Sequence, residues 1–237
     1  MAAHRSTWHT HRDKNTAEVH DVFANLAPNY DALNQWISLR THKRLRALAV
    51  RKLSLTPGAS ALDVCSGTGD FISALRTAVG PKGRVIGVDF CLPMIREANR
   101  KHVPGLSLLA DAGALPIASN SVDAVTVGWG IRNVGDLEAV HQEIFRVLKP
   151  GGRFVSLDMT RPDRALGRAS ARALHYALPK FGGIVGHGSA YAYLSASTLA
   201  FASKHQLAES MRRAGFAQVG FSEHLLGNVC MHSGAKP

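Results

Sequence analysis

Leu62 to Phe71 reads LDVCSGTGDF, an apolar run that passes through Asp63 and opens onto a glycine turn. Gly67 and Gly69 let the backbone turn sharply and then approach a ligand with no Cβ in the way. A second apolar run, Val85 to Val88, ends at Asp89, twenty residues after Gly69. In doubly wound α/β folds a carboxylate at that spacing meets ribose hydroxyls. Phe71 occupies the slot where a dinucleotide fingerprint carries its third Gly or Ala. A nucleoside without a pyrophosphate therefore suits the loop better, and S-adenosylmethionine (SAM) is the obvious one. A strand–turn–helix with incidental glycines remains the alternative for the loop alone; Asp89 in register argues against it.

These residues need a scaffold, and the pattern around them supplies one. The opening third reads helical over Ala17–Leu26, Asp31–Ile37 and Thr41–Leu53, and Pro57-Gly58 closes it. From Ala59 strand and helix patterns alternate. Strands are predicted at Ala61–Cys65, Arg84–Asp89, Leu106–Ala110, Ala124–Gly128 and Arg153–Asp158, with the clearest helix at Leu137–Leu148. Helical signal resumes over Arg164–Leu178 and His205–Ala214. Two last strands, Gln218–Glu223 and Asn228–His232, are joined by Leu-Leu-Gly as a C-terminal hairpin. Such alternation predicts an α/β fold with a doubly wound, mostly parallel seven-stranded sheet covered on both faces. At 237 residues and 46% hydrophobic content, one domain over 1–237 is the simplest division. Within it, residues 1–15 read as a disordered tail, 16–57 as N-terminal helices and 161–201 as a substrate cap.

Composition narrows the setting. Cys65, Cys91 and Cys230 are scattered, odd in number and without metal-ligand spacing, which points to a reducing compartment with no disulfide framework and no metal site. No 18-residue apolar run is present, and Met1–Asn15 lacks the apolar core of a secretory signal. A cytoplasmic protein is expected, peripheral at the inner face of the membrane if it touches one. The formal net charge of +11 favours anionic partners, either nucleic acid or an anionic membrane surface.

Ligands of open α/β sheets bind at the carboxyl ends of the strands, so four loops should meet in one crevice. They are Cys65–Asp70, Asp89–Cys91, Asp111-Ala112 and Gly128-Trp129-Gly130. Asp111 can accept from an adenine amino group while the Ala112 amide donates to a ring nitrogen. Asp111 is equally suited to a turn or helix cap.

GTGD, the acid after the second strand, Asp-Ala followed by Ala114–Pro116, and RVLKPGGR (Arg146–Arg153) resemble class I SAM-dependent methyltransferases. More specifically, VFANLAPNYDALN (Val22–Asn34), GIRNV (Gly130–Val134), AYAYL (Ala190–Leu194) and the closing His232-Ser-Gly-Ala-Lys are similar to the quinone C-methyltransferase family. The similarity runs from about Asn15 to Lys236. It implies SAM as cofactor, with the family's contacts falling on Thr68, Asp89, Asp111 and Ala112; Asp63, Gly67 and Gly69 of the same loop are expected to complete the cofactor site. A further family contact, a serine in some members, falls on Gly128. The resemblance also implies a prenylated quinol as substrate, either demethylmenaquinol or the ubiquinone precursor. Departures fall at Arg40, where Gly is frequent, at Leu45, where an aromatic residue is frequent, and at Ala202, where proline is usual.

Methylating a quinol carbon requires a nucleophilic ring, alignment with the methyl donor and a sink for a proton. Arg132 can stabilise a developing phenolate, Asn133 stands beside it, and Tyr30 can hydrogen-bond a quinol hydroxyl; these are the expected catalytic residues. Arg132 paired on the surface with Asp136, and Tyr30 as a core aromatic, are the alternatives. His42, His141 and His232 are suited by chemistry alone. Arg161, Arg164, Arg168 and Arg172, spaced 3, 4 and 4, form one helical face that could dock on anionic lipid or simply be solvated. A nucleic-acid methyltransferase is disfavoured because Gly-Trp-Gly-Ile-Arg-Asn replaces the Asp/Asn-Pro-Pro-aromatic or Pro-Cys loops of those enzymes. Other lipophilic acceptors, a non-catalytic SAM-binding protein and a homodimer stay open.

Overall fold

The computed structural model describes residues 16–38, 41–184, 193, 196–198 and 201–237. The expected N-terminal tail, Arg40 and parts of the 161–201 segment lie outside the described residues. Helices α1 (Thr16–Leu26), α2 (Tyr30–Ser38) and α3 (Thr41–Lys52) lead into β1 (Ser60–Val64). Then follow α4 (Asp70–Val79), β2 (Arg84–Asp89), α5 (Leu92–Arg100), β3 (Leu106–Leu109), β4 (Val122–Gly128), α6 (Leu137–Val147) and β5 (Leu148–Met159). The chain continues through α7 (Ala165–Ile184), α8 (Lys204–Arg213), β6 (Ala217–His224) and β7 (Val229–Ala235). The seven strands form one sheet in the order β3-β2-β1-β4-β5-β7-β6.

Its first five strands in that order pair parallel, and β7 enters antiparallel between β5 and β6. The expected hairpin is present, closed by a short turn over Leu225–Gly227. Helix α6 ends one residue earlier than anticipated and passes directly into β5, which starts at Leu148.

The central strands are apolar on both sides because helices cover both sides. Alternate residues Leu62 and Val64 of β1 join Val125, Val127 and Phe154 under α6 and α8, which contribute Ile144 and Met211. Ala61 faces the other way with Ala124, Val155 and Leu157, under Leu45 and Ala49 of α3 and Phe71, Ile72 and Leu75 of α4. Asp136 caps α6, its carboxylate accepting from the Glu138 and Ala139 amides at 3.0 and 3.1 Å. Gly128, at the carboxyl end of β4, is held to glycine by packing: a Cβ there would overlap the Phe71 ring.

His141 and His232 belong to the fold and lie away from the crevice at the strand ends. The His141 ring is fully buried, with Nδ1 2.8 Å from the Ser210 hydroxyl. His232 shares its Nε2 proton with the Lys204 carbonyl at 2.8 Å. Burial lowers the first to about 3 and the second to about 4. Both are neutral in the native state at pH 6, whereas the unfolded chain begins to protonate them near pH 6.5. The unfolded state then binds more protons, so stability must fall as pH drops through the window from about 6.5 to 4. Urea midpoints measured from pH 7.5 to 4.5 should decline, and His141→Gln should flatten that decline. An unchanged slope in the variant would show that His141 is not buried neutral.

Candidate active site

Two cavities open at the carboxyl ends of the parallel strands and share the walls Phe23, Tyr30 and Trp129. The first, of about 510 Å³, lies over the glycine loop. Gly67, with φ of 54°, and Gly69, with φ of 87°, turn the chain from β1 into α4. A Cβ on Gly69 would come within 2.8 Å of Val103, so close packing as well as φ requires glycine there. Asp89 is buried, its Oδ2 accepting from the Gly67 amide at 2.7 Å and its Oδ1 from the Cys91 amide at 2.9 Å. Burial raises its pKa while these backbone amides pull the other way. The two amides aim the carboxylate and leave further lone pairs for a ligand.

Asp111 and Ala112 line the far end of the same cavity, with Gly128, Gly130 and Asn133 along its side. Asp111 accepts from the Gly113 amide at 2.6 Å, so it shapes its turn and borders the cavity at once. The apolar stretch between the two carboxylates, walled by Val88, Met94 and Val134, suits a nucleoside. The acidic ends suit a cationic sulfonium. The Cys65 thiol also faces this space, but burial and four nearby aspartates push its pKa well above the usual thiol value, so it is no nucleophile.

Three residues expected among the cofactor contacts, Asp63, Thr68 and Gly69, lie outside this wall. Asp63 is buried under the loop and accepts from the Thr126 hydroxyl at 2.7 Å; burial raises its pKa to about 7. Thr68 donates its hydroxyl to Asp31 at 2.6 Å, and Asp31 also pairs with Lys101. The reason is positional: Thr68 sits between the two glycines of the turn with its hydroxyl on Asp31 of α2, and through Asp31 and Lys101 it ties α2 and the end of α5 to the glycine loop.

The second cavity, of about 680 Å³, is walled largely by apolar side chains from α1, α2, α3 and α7 and the Leu225–Gly227 turn. Polar groups gather at its inner end. Arg132, buried, does not pair with Asp136 as its surface alternative would have it; it pairs with Asp158, at the end of β5. Asp158 also accepts from the Arg132 amide at 3.2 Å and the Met159 amide at 2.7 Å. Arg132 donates in addition to the Trp129 carbonyl at 2.8 Å. Asn133 accepts from the Tyr193 hydroxyl at 3.0 Å, which joins the turn after β4 to the AYAYL segment. Tyr30 borders both cavities, and burial raises its phenol above the ordinary value although Asn34, Arg46 and Arg132 all favour ionisation. It is therefore a proton donor at neutral pH.

His42 lines the apolar cavity, hydrogen-bonded to Ser38, while His141 and His232 are remote from it. The arginine stripe is corrected too. Helix α7 begins at Ala165, so Arg161 and Arg164 precede it and only Arg168 and Arg172 lie on it. Sequence reasoning missed Asp158, Asp31, Arg46 and Tyr193. Asp158 ends an apolar strand as Asp89 does, which was a usable signal; Arg46 had none, being one of several cations on α3. No group of three or more metal-ligating side chains occurs among the described residues.

Comparison with known proteins accords with this geometry. The profile of the ubiE/COQ5 methyltransferase family matches residues 11–236. A demethylmenaquinone methyltransferase of Lactobacillus johnsonii is 38% identical over 227 residues, covering 92% of this chain and 93% of the relative. That of Geobacillus stearothermophilus is 37% identical over 236 residues, covering 95% and 99%. Among solved structures, a SAM-dependent methyltransferase of Thermotoga maritima superposes with a TM-score of 0.64 at 22% identity, over 92% of this chain and 99% of that one. A Haemonchus contortus phosphoethanolamine N-methyltransferase in complex with SAM gives 0.63 at 15% identity, over 95% and 59%. These two similarities speak for the fold alone. With its profile matched almost end to end, its curated relatives near two-fifths identity and its loops gathered at one crevice, the chain belongs to the ubiE/COQ5 methyltransferase family.

Proposed function

We propose that the chain uses SAM to methylate a ring carbon of a prenylated quinol, with demethylmenaquinol as the acceptor. The observation that carries this reading is the meeting of a nucleoside-sized cavity and a larger apolar one at Phe23, Tyr30 and Trp129, with Arg132 buried at the junction. The names of the relatives favour the menaquinone precursor over the ubiquinone precursor. SAM, when bound, supplies an electrophilic sulfonium methyl. Asp89 would hold the ribose hydroxyls, and Asp111 and the Ala112 amide the adenine, with Gly67 and Gly128 giving close backbone approach. Asp63 and Thr68 support this set from beneath, through Thr126 and Asp31.

The chain's own residues then hold the acceptor ring, exclude water and steady the charge that grows on the oxygen beside the accepting carbon. Tyr30, kept protonated by burial, donates a hydrogen bond to that oxygen. Arg132, fixed by Asp158, presents positive charge in a water-poor pocket where it acts strongly. The ring carbon exchanges its hydrogen for the methyl, and one proton leaves. Asn133 orients the turn that carries Arg132 and is itself held by Tyr193. Asp89→Ala should weaken SAM binding tenfold or more by calorimetry, as expected when about 1.5–3 kcal/mol of charge-assisted hydrogen bonding is lost. Arg132→Ala should lower turnover about 100- to 1,000-fold with SAM affinity nearly intact. Equal loss of SAM affinity in both would displace Arg132 from the reacting end.

The apolar cavity ends at Leu174, Leu225 and Leu226, which are exposed by 37%, 47% and 58%. Arg168 and Arg172 on α7 are solvent-exposed nearby, with Leu166 and Tyr176 also exposed, and no described helix is long and apolar enough to cross a membrane. A peripheral contact with anionic lipid at this mouth would let the prenyl tail pass from bilayer to cavity. Flotation with vesicles should show binding that rises with anionic lipid and falls in Arg168→Glu/Arg172→Glu; absence of binding with and without anionic lipid removes this part of the reading. The test of the whole is methyl transfer from labelled SAM to reduced demethylmenaquinone, the ubiquinone precursor and duplex DNA in parallel. Label is expected in demethylmenaquinol. SAM binding with label in no acceptor would favour a non-catalytic SAM-binding protein.

A further inference from the structure

Arg46, on α3, is a buried cation that the mechanism above leaves unused. Only 7% of it is exposed, and it borders the apolar cavity without entering the wall of the cofactor cavity. Its guanidinium lies over the Trp129 indole, with Cζ 4.6 Å from the ring centroid, and 5.6 Å from that of Phe71. Asp70 Oδ2 stands 2.9 Å from Nη1, yet neither Nε nor Nη1 has a hydrogen-bond partner among the described residues. A buried guanidinium with an ion pair but idle donors is costly, and an arriving acceptor would relieve that cost.

Trp129 fixes where such an acceptor would sit. Arg132 holds its backbone carbonyl while Arg46 covers its ring, so two guanidiniums occupy opposite ends of a residue that walls both cavities. Tyr30 feels the positive charge of both. Both guanidiniums line the larger cavity, but the turn that carries Arg132 also walls the cofactor cavity through Gly130 and Asn133, whereas no residue of α3 does. A 1,4-quinol likewise carries an oxygen at each end of its ring. The oxygen beside the accepting carbon falls to Arg132, and the remote one to the Arg46 guanidinium, which lines the same cavity. A SAM carboxylate is a poorer fit for Arg46, because Asp70 already occupies the side that faces the glycine loop.

We infer that Arg46 donates a hydrogen bond to the quinol oxygen remote from the accepting carbon, and so makes the enzyme select a 1,4-diol over a ring with one hydroxyl. This rests on the quinol reading above. The guanidinium is held over Trp129 and anchored by Asp70, so it meets the oxygen with little loss of side-chain freedom. A ring without that oxygen would leave the charge unsatisfied, a penalty by which buried sites discriminate strongly.

The test uses the full chain, short-tailed demethylmenaquinol, and its analogue lacking the hydroxyl remote from the accepting carbon. Wild type, Arg46→Met and Arg46→Lys are compared by kcat/KM on both acceptors, with SAM affinity measured by calorimetry and folding by thermal melting. The intrinsic reactivity gap between the two rings is common to all three proteins, so a change in their ratio reads the contact. Arg46→Met should lose about 10- to 100-fold on the diol and little on the analogue, and Arg46→Lys should recover part of the preference, with SAM affinity unchanged. Equal losses on both acceptors would overturn the inference, as would SAM affinity falling in step with activity. Should Arg46→Met fail to fold, the ratio in Arg46→Lys decides: a preference equal to wild type overturns the inference, because an ammonium cannot reproduce the flat fork. Methylation of neither acceptor by wild type would instead refute the quinol reading itself.

Discussion

The buried pair of Arg132 and Asp158 governs the geometry of this molecule. It joins the turn after β4 to the end of β5, and the same carboxylate takes the Arg132 and Met159 amides. Two charges withdrawn from water attract strongly, but each alone would be very costly, so the turn cannot drift without losing its partner. Removing one member of such a pair costs about 3–5 kcal/mol in general. Because Arg132 also holds the Trp129 carbonyl, the constraint extends to the wall between the two cavities.

Trp129 carries that constraint in its backbone. Its φ of 55° is unusual for a residue with a large side chain, and its amide is anchored to the Leu157 carbonyl at 2.7 Å. The left-handed turn directs the indole toward α3, where Arg46 lies against it. One residue earlier, glycine is obligatory because Phe71 fills the space a Cβ would need. The loss of a serine side chain at Gly128 and the presence of Phe71 in the glycine loop are thus one packing solution.

On the cofactor side, a second constraint runs through Asp31. It accepts from Thr68 and pairs with Lys101, so the helix bearing Tyr30 is tied to the glycine loop and to the end of α5. Tyr30 consequently reaches the junction of the cavities from a segment far from β4 in sequence. Tyr193 approaches from the opposite direction, through Asn133, and Phe23 packs edge-on against both tyrosines at 6.4 Å. The larger, apolar cavity is walled mostly by elements that contribute nothing to the sheet.

The sequence by itself determined the strand–helix alternation, the glycine turn, the positions of Asp89 and Asp111 and the terminal hairpin. Each is local: a period of two or 3.6, a required φ, or a carboxylate at a strand end is written within a few residues. Only the tertiary structure decided what Arg132 pairs with, that Thr68 serves Asp31, that His141 and His232 are core residues, and that Arg46 reaches the acceptor cavity. Asp136 and Asp158 look alike to Arg132 along the chain, and the choice between them depends on β5 lying beside β4. Likewise Arg46 is one cation of several on α3 until α4 and Trp129 enclose it. Long-range burial and pairing create those roles, and burial is a property of the folded neighbourhood that short-range pattern does not carry.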